Sequence, residues 1–140
     1  MQTIQLFGGA SARATFLGRV REHLAPRGLF AAALADAMEG YDADHDRPPL
    51  PDMVEAGGVV YSSRPLAVRP VAEGIVIERL REVVDPQGER TVTEDRTVLD
   101  ALGPKELTRE LIEAGLTPLP PRSVPATEEF VGSAVVMACA

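Results

Sequence analysis

The sequence predicts an α/β fold that contains an antiparallel β insertion, and three observations support this class. A helical pattern runs directly into an unbroken apolar run at 29–35. Stretches rich in Val, Ile and Thr then follow between turn residues, and a second helical pattern precedes a last apolar run at 131–138. A helix followed by a buried strand is one half of an α/β repeat, whereas short strands joined by tight turns indicate an antiparallel meander.

The first segment, residues 1–36, is predicted to hold a helix and a buried strand. Ser11 is a candidate N-cap of the helix. Apolar residues then recur at helical spacing, at Phe16, Leu17, Val20 and Leu24. Pro26-Arg27-Gly28 ends the helix. The run Leu29–Ala35 shows no alternation of polar and apolar residues, which is typical of a strand buried on both faces, as in a parallel sheet.

The second segment, residues 37–57, is predicted to be an acidic, proline-rich loop. From Asp36 to Glu55 there are seven acidic residues and one basic residue, Arg47, so this stretch carries −6 of the net charge of −7. The prolines at positions 48, 49 and 51 remove backbone donors and disfavour regular structure. A long loop inside a compact domain is usually a lid, a binding loop or a disordered excursion.

The third segment, residues 58–100, is predicted to be an antiparallel β insertion. Its strand-like stretches are 59–69, 75–84 and 90–99. Glu73-Gly74 marks the first turn, and Asp85-Pro86-Gln87-Gly88 places Asp, Pro and Gly where a type I turn favours them. Charges interleaved along these strands indicate that at least one face of the sheet is in water.

The last segment, residues 101–140, is predicted to hold a helix and a terminal strand pair. Gly103-Pro104 opens the helix and Gly115 stands where a helix C-cap is expected. The apolar stripe of this helix consists of Leu107, Leu111 and Ala114. The proline-rich stretch 118–125 fits an edge strand or a crossing connection, and 131–138 fits the final strand.

The composition excludes several classes of protein. A chain of 140 residues with 45% apolar and 25% charged residues fits one globular domain. No stretch is apolar enough to span a membrane, and the start of the chain lacks the pattern of a signal peptide. The acidic net charge argues against a nucleic-acid partner. Cys139 is the only cysteine, which suits a reducing cytosol and a cytoplasmic location, and the scarcity of Cys and His excludes a structural zinc site.

Two short motifs and the order of the elements resemble a known family. Residues 24–30, Leu-Ala-Pro-Arg-Gly-Leu-Phe, resemble the helix–Pro-Gly-Gly–strand passage into the fifth strand of class I S-adenosylmethionine-dependent methyltransferases. Residues 110–116, Glu-Leu-Ile-Glu-Ala-Gly-Leu, look like the helix end before the closing antiparallel strands of those enzymes. The resemblance covers roughly Met1 to Val136. It implies one partial domain over 1–140, the C-terminal half of a Rossmann-like methyltransferase sheet, with an insertion that helps to cover a small-molecule substrate.

One departure from the family is large. Class I methyltransferases bind S-adenosylmethionine with a glycine-rich loop after the first strand and an acidic residue after the second. Neither feature is present, since Gly8-Gly9 follows no predicted strand. The resemblance therefore implies a chain that begins after the fourth strand, with Met1 an internal methionine of a longer protein or the start of a truncated gene. Such a chain is expected neither to bind S-adenosylmethionine alone nor to transfer methyl groups alone.

The resemblance places the residues at the start of the chain beside the methyl group of the cofactor. Met1, Gln2, Thr3 and Gln5 align with the segment after the fourth strand of the family. The amides of Gln2 and Gln5 could orient the substrate or the cofactor by hydrogen bonds. The alternative is that both are polar residues near a frayed terminus.

The acidic loop contains one candidate general base, His45, because the ordinary pKa of histidine lies near neutrality. Its neighbours Asp44 and Asp46 would raise the pKa of His45 and weaken it as a base. Methyl transfer is also largely a matter of holding the reactants in line, so a base is not essential. The alternative is an incidental histidine in a solvated loop.

Two further features of this loop invite a binding role. Tyr41 and Tyr61 flank it and could pack against a substrate ring, or could simply anchor the loop to the core. The spacing Asp42-x-Asp44-x-Asp46 suggests calcium. Arg47 and Met53 occupy the positions where an EF-hand needs Gly and Glu, so we predict no metal site of that kind. A looser cation site is an open alternative.

Three functions remain as hypotheses. The first is the substrate-side portion of a small-molecule methyltransferase, inactive alone. The second is a non-catalytic binding or interaction module that retains half of a Rossmann-like fold, and the third is a small metal-dependent enzyme that uses the acidic loop. If half of a parallel sheet is missing, the edge beside 29–35 is exposed, and such edges favour self-association.

Overall fold

The structure is a computed structural model of the chain, and it describes residues 3–35, 41–42, 44, 50–127 and 132–140. The elements in chain order are a 3-10 helix (Thr3–Leu6), α1 (Ala10–His23), β1 (Leu29–Ala35), β2 (Tyr41–Asp42), β3 (Asp52–Ala56), β4 (Val59–Val71), β5 (Gly74–Val84), β6 (Arg90–Asp100), α2 (Pro104–Glu113), β7 (Thr117–Val124) and β8 (Ser133–Cys139). In the part of the chain described, neither α-helix is long and apolar enough to cross a bilayer.

The chain divides into two compact units. The terminal unit combines Met1–Met38 with Leu99–Ala140, and the insert unit is Glu39–Val98. The chain leaves the terminal unit after β1 and returns to it along β6. The expected class, a mixed α/β fold with antiparallel strands, is confirmed.

The terminal unit is built on a three-stranded sheet in the order β1-β8-β7. Both outer strands pair antiparallel with β8, so β1 and β7 run parallel to each other. One face of this sheet packs against the helices through a cluster whose fully buried side chains are Leu17, Leu34, Leu107, Leu111 and Val136. Phe16 stacks on Phe7 with ring centroids 4.6 Å apart and lies edge-on to Phe30 at 6.5 Å. The core therefore joins both helices to one side of the sheet.

Strand β1 has the bounds that the apolar run predicts, but its environment differs from the prediction. Within the described residues it pairs with β8 alone, and the pairing is antiparallel. Leu34 is buried, whereas Leu29 is 57% exposed and Ala31 is also exposed. The prediction of burial on both faces is therefore wrong for this chain. A run of alanines carries no polar residue that would mark its exposed face, so the sequence pattern could not reveal it.

The start of α1 also differs from the prediction. The N-cap is Gly9, which has no side chain that could bond to the helix. Ser11, the predicted cap, lies inside the helix. The first helical bond runs from the Arg13 N–H to the Gly9 carbonyl. The end agrees with the sequence, because the Leu24 N–H bonds to Val20 O just before the Pro26 turn.

Helix α2 begins and ends where its sequence predicts. Gly103 is the N-cap, and Pro104 follows at a position where a missing N–H costs nothing. At the other end the Gly115 N–H bonds to Ile112 O and the Leu116 N–H bonds to Leu111 O. This pair of bonds is a Schellman motif, and it directs the chain into β7. Strand β7, with its prolines, is an edge strand, which settles the choice left open for 118–125.

The insert unit is a five-stranded sheet in which β2 and β3 both pair with β4, and β5 and β6 follow in the order β4-β5-β6. Strands β4 and β5 pair antiparallel from Val60–Val84 to Val71–Gly74, with a register shift between Pro65 and Ala67. The turn from β5 to β6 is held by Asp85, whose Oδ1 accepts from the N–H groups of Gln87 and Glu89. The predicted meander is thus present in β4, β5 and β6.

The loop prediction for 37–57 is wrong at Asp52–Ala56, which forms β3, and at the short β2. Ala56 pairs with Val59 across the two-residue turn Gly57-Gly58, in which both residues have positive φ (62° and 79°). Two glycines between strand-like residues favour a type I′ hairpin, because glycine adopts positive φ at no steric cost. The glycine pair therefore indicates a hairpin at 57–58, whereas the acids and prolines before it favour a loop.

Candidate functional site

The residues proposed from the sequence are only partly described. Met1, Gln2 and His45 lie outside the described residues. Tyr41 lies in β2 next to Val68 of β4, but its side chain is outside the described part. Gln5 and Tyr61 are the remaining candidates, and the structure places them in different units.

Gln5 lies in the 3-10 helix and is 4% exposed. Its Nε2 donates to the carbonyl oxygen of Asp100 at 3.3 Å. Gln5 is therefore held inside the terminal unit and is not part of a frayed end. Its role toward a substrate or cofactor stays a prediction.

Asp100, the last residue of β6, connects three parts of the terminal unit. Its backbone carbonyl accepts from Gln5, and its Oδ2 accepts from the Gly9 N–H at 2.9 Å. The same carboxylate accepts a hydrogen bond from Nη1 of Arg13. A carboxylate at the start of α1 is also favourable because the helix dipole is positive there. Asp100 thus ties the 3-10 helix and α1 to the point where the chain re-enters this unit.

Arg13 and Glu110 form a buried ion pair between α1 and α2. They are 3% and 5% exposed. The guanidinium binds the carboxylate as a fork, with Nη2 to Oε1 at 2.7 Å and Nε to Oε2 at 2.9 Å. Glu106 lies at the edge of the pair, 3.8 Å from Nη2 of Arg13. We call these residues the Arg13 cluster: Arg13, Asp100, Glu106 and Glu110.

The Arg13 cluster is a fixed set of charges rather than a proton-transfer site. The hydrogen bond to Glu110 raises the pKa of Arg13, against the opposing effect of burial, and the Asp100 carboxylate acts in the same direction. A guanidinium whose pKa is raised stays protonated and cannot act as a base. The geometry therefore fits a positioning role for the cluster.

Arg13 is not among the candidates predicted from the sequence, although the sequence contains a signal for it. Arg13 precedes Leu17 by four residues, so both lie on one face of α1, and Glu110 follows the buried Leu107 by three residues in α2. Opposite charges on the core stripes of two helices are a sign of a buried pair. Their separation of 97 residues leaves the partnership itself unreadable from one sequence.

Tyr61 lies on an exposed face of the insert unit. Both roles considered for it, a substrate contact and an anchor of the acidic segment, stay predictions. Tyr61 is 45% exposed and stands between Val54 of β3 and Val83 of β5 in the strand register. The next row on the same face is Asp52, Ser63 and Arg81. We call these six residues the Tyr61 face. They line a shallow cavity of about 290 Å³.

The charges of the Tyr61 face are held by neighbours on the same sheet. Arg79 donates from Nη2 to Oδ2 of Asp52 at 2.9 Å and from Nε to Oγ of Ser63 at 3.0 Å. Arg81 donates from Nη2 to Oδ2 of Asp95 at 2.9 Å. The face therefore offers an apolar row centred on an aromatic ring, beside a row of paired charges.

A metal centre has no support in the part of the chain that is described. No group of three or more His, Cys, Asp or Glu side chains there could hold a cation. Asp42 accepts a hydrogen bond from the Asp44 N–H at 3.1 Å, which is a local turn contact. Asp46, the third acid of the spacing that suggested calcium, lies outside the described residues.

Comparison with known proteins finds structures with a similar fold among S-adenosylmethionine-dependent methyltransferases. No protein-family model matches the chain, and no curated protein sequence matches it. Among solved structures, an S-adenosylmethionine-dependent methyltransferase from Clostridium acetobutylicum superposes with a TM-score of 0.60 at 11% identity, over 99% of this chain and 55% of that one. DesVI of Streptomyces venezuelae gives a TM-score of 0.63 at 14% identity, over 97% and 55%.

A third structure has the same relation to the chain. CalS10, an amino pentose methyltransferase from Micromonospora echinaspora with S-adenosylmethionine bound, gives a TM-score of 0.58 at 15% identity, over 98% of this chain and 55% of that one. At these identities the likeness shows the fold alone. The chain thus has a partial methyltransferase fold, as the resemblance implies, and it spans about half the length of these structures.

The residues described do not by themselves fit S-adenosylmethionine. Gly8-Gly9 follows a 3-10 helix and not a strand, so it is not the turn that cradles the cofactor. The Asp100 carboxylate, which accepts from the Gly9 N–H, and the buried Glu110 carboxylate are already bound by Arg13. No uncommitted buried carboxylate is therefore present among the described residues of the terminal unit to take the ribose hydroxyls.

Proposed function

We propose that this chain supplies the substrate-side portion of a small-molecule S-adenosylmethionine-dependent methyltransferase, and that it does not bind the cofactor or transfer a methyl group alone. The observation that carries the proposal is the extent of the structural likeness, which takes in nearly the whole chain but only about 55% of each methyltransferase.

The topology supports the same function. The insert unit leaves the sheet at the carboxyl end of β1 and returns before α2. In α/β sheets, ligands bind outside the carboxyl ends of the strands. An insertion that leaves from this end is placed in the chain where it could contribute residues to a substrate site. Tyr41, His45 and Tyr61 belong to this insertion. We keep His45 as the candidate general base, and the two tyrosines as candidate pocket residues together with Met1, Gln2 and Gln5.

Isothermal titration of the chain with S-adenosylmethionine tests the proposal. We expect no heat of binding at chain concentrations where a complete methyltransferase, titrated in parallel as the positive control, gives a saturable curve. Saturable binding to this chain alone would contradict the proposal and would make the chain a minimal cofactor-binding protein.

The exposed Tyr61 face favours a second candidate function, a non-catalytic interaction module with half of a Rossmann-like fold. The genomic DNA upstream of the Met1 codon separates the two. An in-frame strand followed by Gly-x-Gly-x-Gly would support the methyltransferase, and a stop codon just upstream would support the module. In either case we place the protein in the cytosol, where a lone free thiol such as that of Cys139 is stable.

A further inference from the structure

The edge of β1 away from β8, which we call the β1 edge, presents backbone groups that bond to no strand. The Ala140 N–H donates to the Gly28 carbonyl at 3.1 Å, so these residues are a hydrogen-bonded pair of the antiparallel ladder. Such pairs alternate along two strands. Even-numbered residues of β1 therefore bond to β8, and odd-numbered residues direct their N–H and C=O groups to the β1 edge. Among the described residues, β8 alone pairs with β1, and no other backbone group bonds to Ala31 or Ala33.

β1 also lacks the features with which proteins usually protect an exposed strand edge. Leu29–Ala35 contains no charged residue and no proline, and its register with β8 has no bulge. The opposite edge of the same sheet, β7, carries several prolines and Arg122. Charges, prolines and bulges hinder the addition of another strand. The contrast between the two edges indicates that the sheet ends at β7 and continues beyond β1.

Space for a further strand lies directly beside the β1 edge. A cavity of about 170 Å³ there is lined by Ile4, Phe16, Phe30 and the alanines at 31–33. The two aromatic side chains also pack against the buried core of the terminal unit. A cavity of roughly 150 Å³ holds a benzene ring, so this one can receive the aliphatic side chains of an added strand.

The order of the elements gives the direction of that strand. Helix α1 packs on one face of the sheet and leads directly into β1, as the helix of a β-α-β unit leads into its second strand. In such a unit the strand before the helix runs parallel to the strand after it. Thr3 and Ile4, which precede α1, line the cavity at the β1 edge. A strand beside β1 that ends near these residues would therefore run parallel to β1.

We propose that the β1 edge docks a partner polypeptide, which adds one uncharged β-strand parallel to β1. The inference rests on the proposed function, since the partner is a polypeptide that carries the cofactor-binding portion of a methyltransferase. The methyltransferases that match this chain over 97–99% of its length are matched over only 55% of their own. In strand addition the main-chain hydrogen bonds supply affinity, and pockets for alternate side chains supply specificity.

The side of the sheet away from the helices favours a folded partner over an isolated strand. Leu34 points into the core, so the odd-numbered residues of β1 face this other side. Leu29 on this side is 57% exposed, and Val124, in the same row as Ala35, is 47% exposed. Large apolar side chains at both ends of one face indicate a surface that further elements of the same partner would cover.

A pair of blocked peptides tests the added strand and its direction. The probe is a peptide in which valine alternates with alanine between terminal lysines. If it runs parallel to β1 with its valines toward the cavity, the valine N–H groups face β1 and the alanine N–H groups face away. N-methylation of the valines should therefore weaken binding at least about tenfold. N-methylation of the alanines, the matched control, should leave it within about threefold.

Heteronuclear NMR of the isotope-labelled whole chain measures the binding. With the unmodified peptide we expect saturable shifts of the Ala31 and Ala33 amides at a Kd of about 0.1–1 mM, as suits a few ladder bonds. The amide of Ser63, on the Tyr61 face, should not shift.

A variant of the chain tests the same bonds from the other side. The Ala31 N–H faces the β1 edge and is not bonded to β8, so Ala31→Pro removes a donor of the edge without removing a bond of the existing ladder. We expect circular dichroism to show an intact fold and peptide binding to weaken at least about tenfold. If this variant does not fold, the methylated peptides still test the wild-type chain.

Several results would overturn the proposal. Binding that survives valine methylation but not alanine methylation would make the added strand antiparallel. Equal binding of all the peptides, shifts outside β1, no saturable shift, or a β1-to-β1 dimer that the peptide does not displace would also contradict it. None of these measurements involves S-adenosylmethionine. The docking can therefore fail while the methyltransferase proposal stands, and saturable binding of S-adenosylmethionine to the chain alone would remove that proposal without closing the β1 edge.

Discussion

The guanidinium of Arg13 occupies a position that a leucine would normally fill, on the buried stripe of α1 and one turn before Leu17. Its cost of desolvation is offset by a fork to Glu110 and a further bond to Asp100. A buried ion pair adds little net stability compared with well-packed apolar residues, but breaking it by removing one partner is costly. The pair therefore fixes how α1 meets α2.

Replacing Arg13 by alanine should destabilise the chain by about 3–5 kcal/mol, because Glu110 is left buried and unpaired. Arg109→Ala is the matched control, since Arg109 pairs with Glu113 at 4.0 Å and both are largely exposed. That change should cost less than about 1 kcal/mol. Urea unfolding monitored by circular dichroism measures both. An equal loss of unfolding free energy in the two variants would show that the buried pair contributes no more to stability than the exposed pair.

The sign of the pH effect follows from the raised pKa of Arg13. A base whose pKa is higher in the folded state stabilises the fold at every pH below its ordinary value, and this contribution disappears only when pH rises through the raised value. We therefore expect the difference in unfolding free energy between wild type and Arg13→Lys to be independent of pH from about pH 6 to 9, because residue 13 does not titrate in this range. A steep dependence that follows residue 13 would contradict this assignment.

At the scale of elements, two glycines, one after α2 and one inside α1, should respond in opposite ways to substitution by alanine. Gly115 has φ of 78°, and a Cβ there would lie 2.8 Å from Nε of Arg21. Gly18 lies inside α1, and a Cβ there would meet nothing within 4 Å.

Gly115→Ala should therefore destabilise the chain by about 1 kcal/mol, since L-residues are strained in the left-handed region. Gly18→Ala should stabilise it by about 0.5–1 kcal/mol, since alanine is the better helix former. Thermal unfolding of both variants is the measurement. Shifts of the melting temperature in the same direction would refute this account of the two sites.

The elements that could be predicted are those whose ends are marked by glycine, proline or a turn-forming aspartate. Gly103-Pro104 and Gly115 mark both ends of α2, and Asp85 marks the turn before β6. Strand β3 was missed because the prolines at 48–51 argue for a loop over the same stretch, although Gly57-Gly58 indicates a hairpin. Local residue preference therefore located most elements but did not identify their partners.

The candidate site was less predictable than the fold, for a physical reason. Gln5 was chosen from a resemblance, whereas the structure shows that its amide is bonded to the backbone of Asp100, 95 residues away. The face around Tyr61 depends on the register of three strands, which sequence spacing alone does not fix. Contacts between distant segments are thus the information that one sequence lacks.

At the scale of the whole molecule, one edge of β1 has no partner strand among the residues that the structure describes. Beside it lies a cavity of about 170 Å³, lined by Phe16, Phe30 and the alanines at 31–33. Four consecutive residues of β1 line this cavity, so it follows the edge of the strand rather than one face. An unpaired apolar edge invites pairing with another chain.

Placing a charge on this edge should reduce irreversible self-association. We expect Ala31→Lys to raise the solubility of the chain several-fold in a turbidity assay, because a lysine on an edge strand blocks further pairing. Ala10→Lys, on the exposed part of α1, adds the same charge elsewhere and should have a smaller effect. Equal gains would mean that net charge alone, and not the β1 edge, governs solubility.

The division of the terminal unit between the two ends of the chain has a consequence for its synthesis. β1 pairs with β8, and about 100 residues separate the end of one from the start of the other. At about 5–20 residues per second, a ribosome completes β1 roughly 5–20 s before its partner exists. During that interval the insert unit can already form its hairpins, whereas the apolar strand Leu29–Ala35 has no β8 to pair with. A nascent chain of this design should therefore be a client of ribosome-associated chaperones until translation reaches β8.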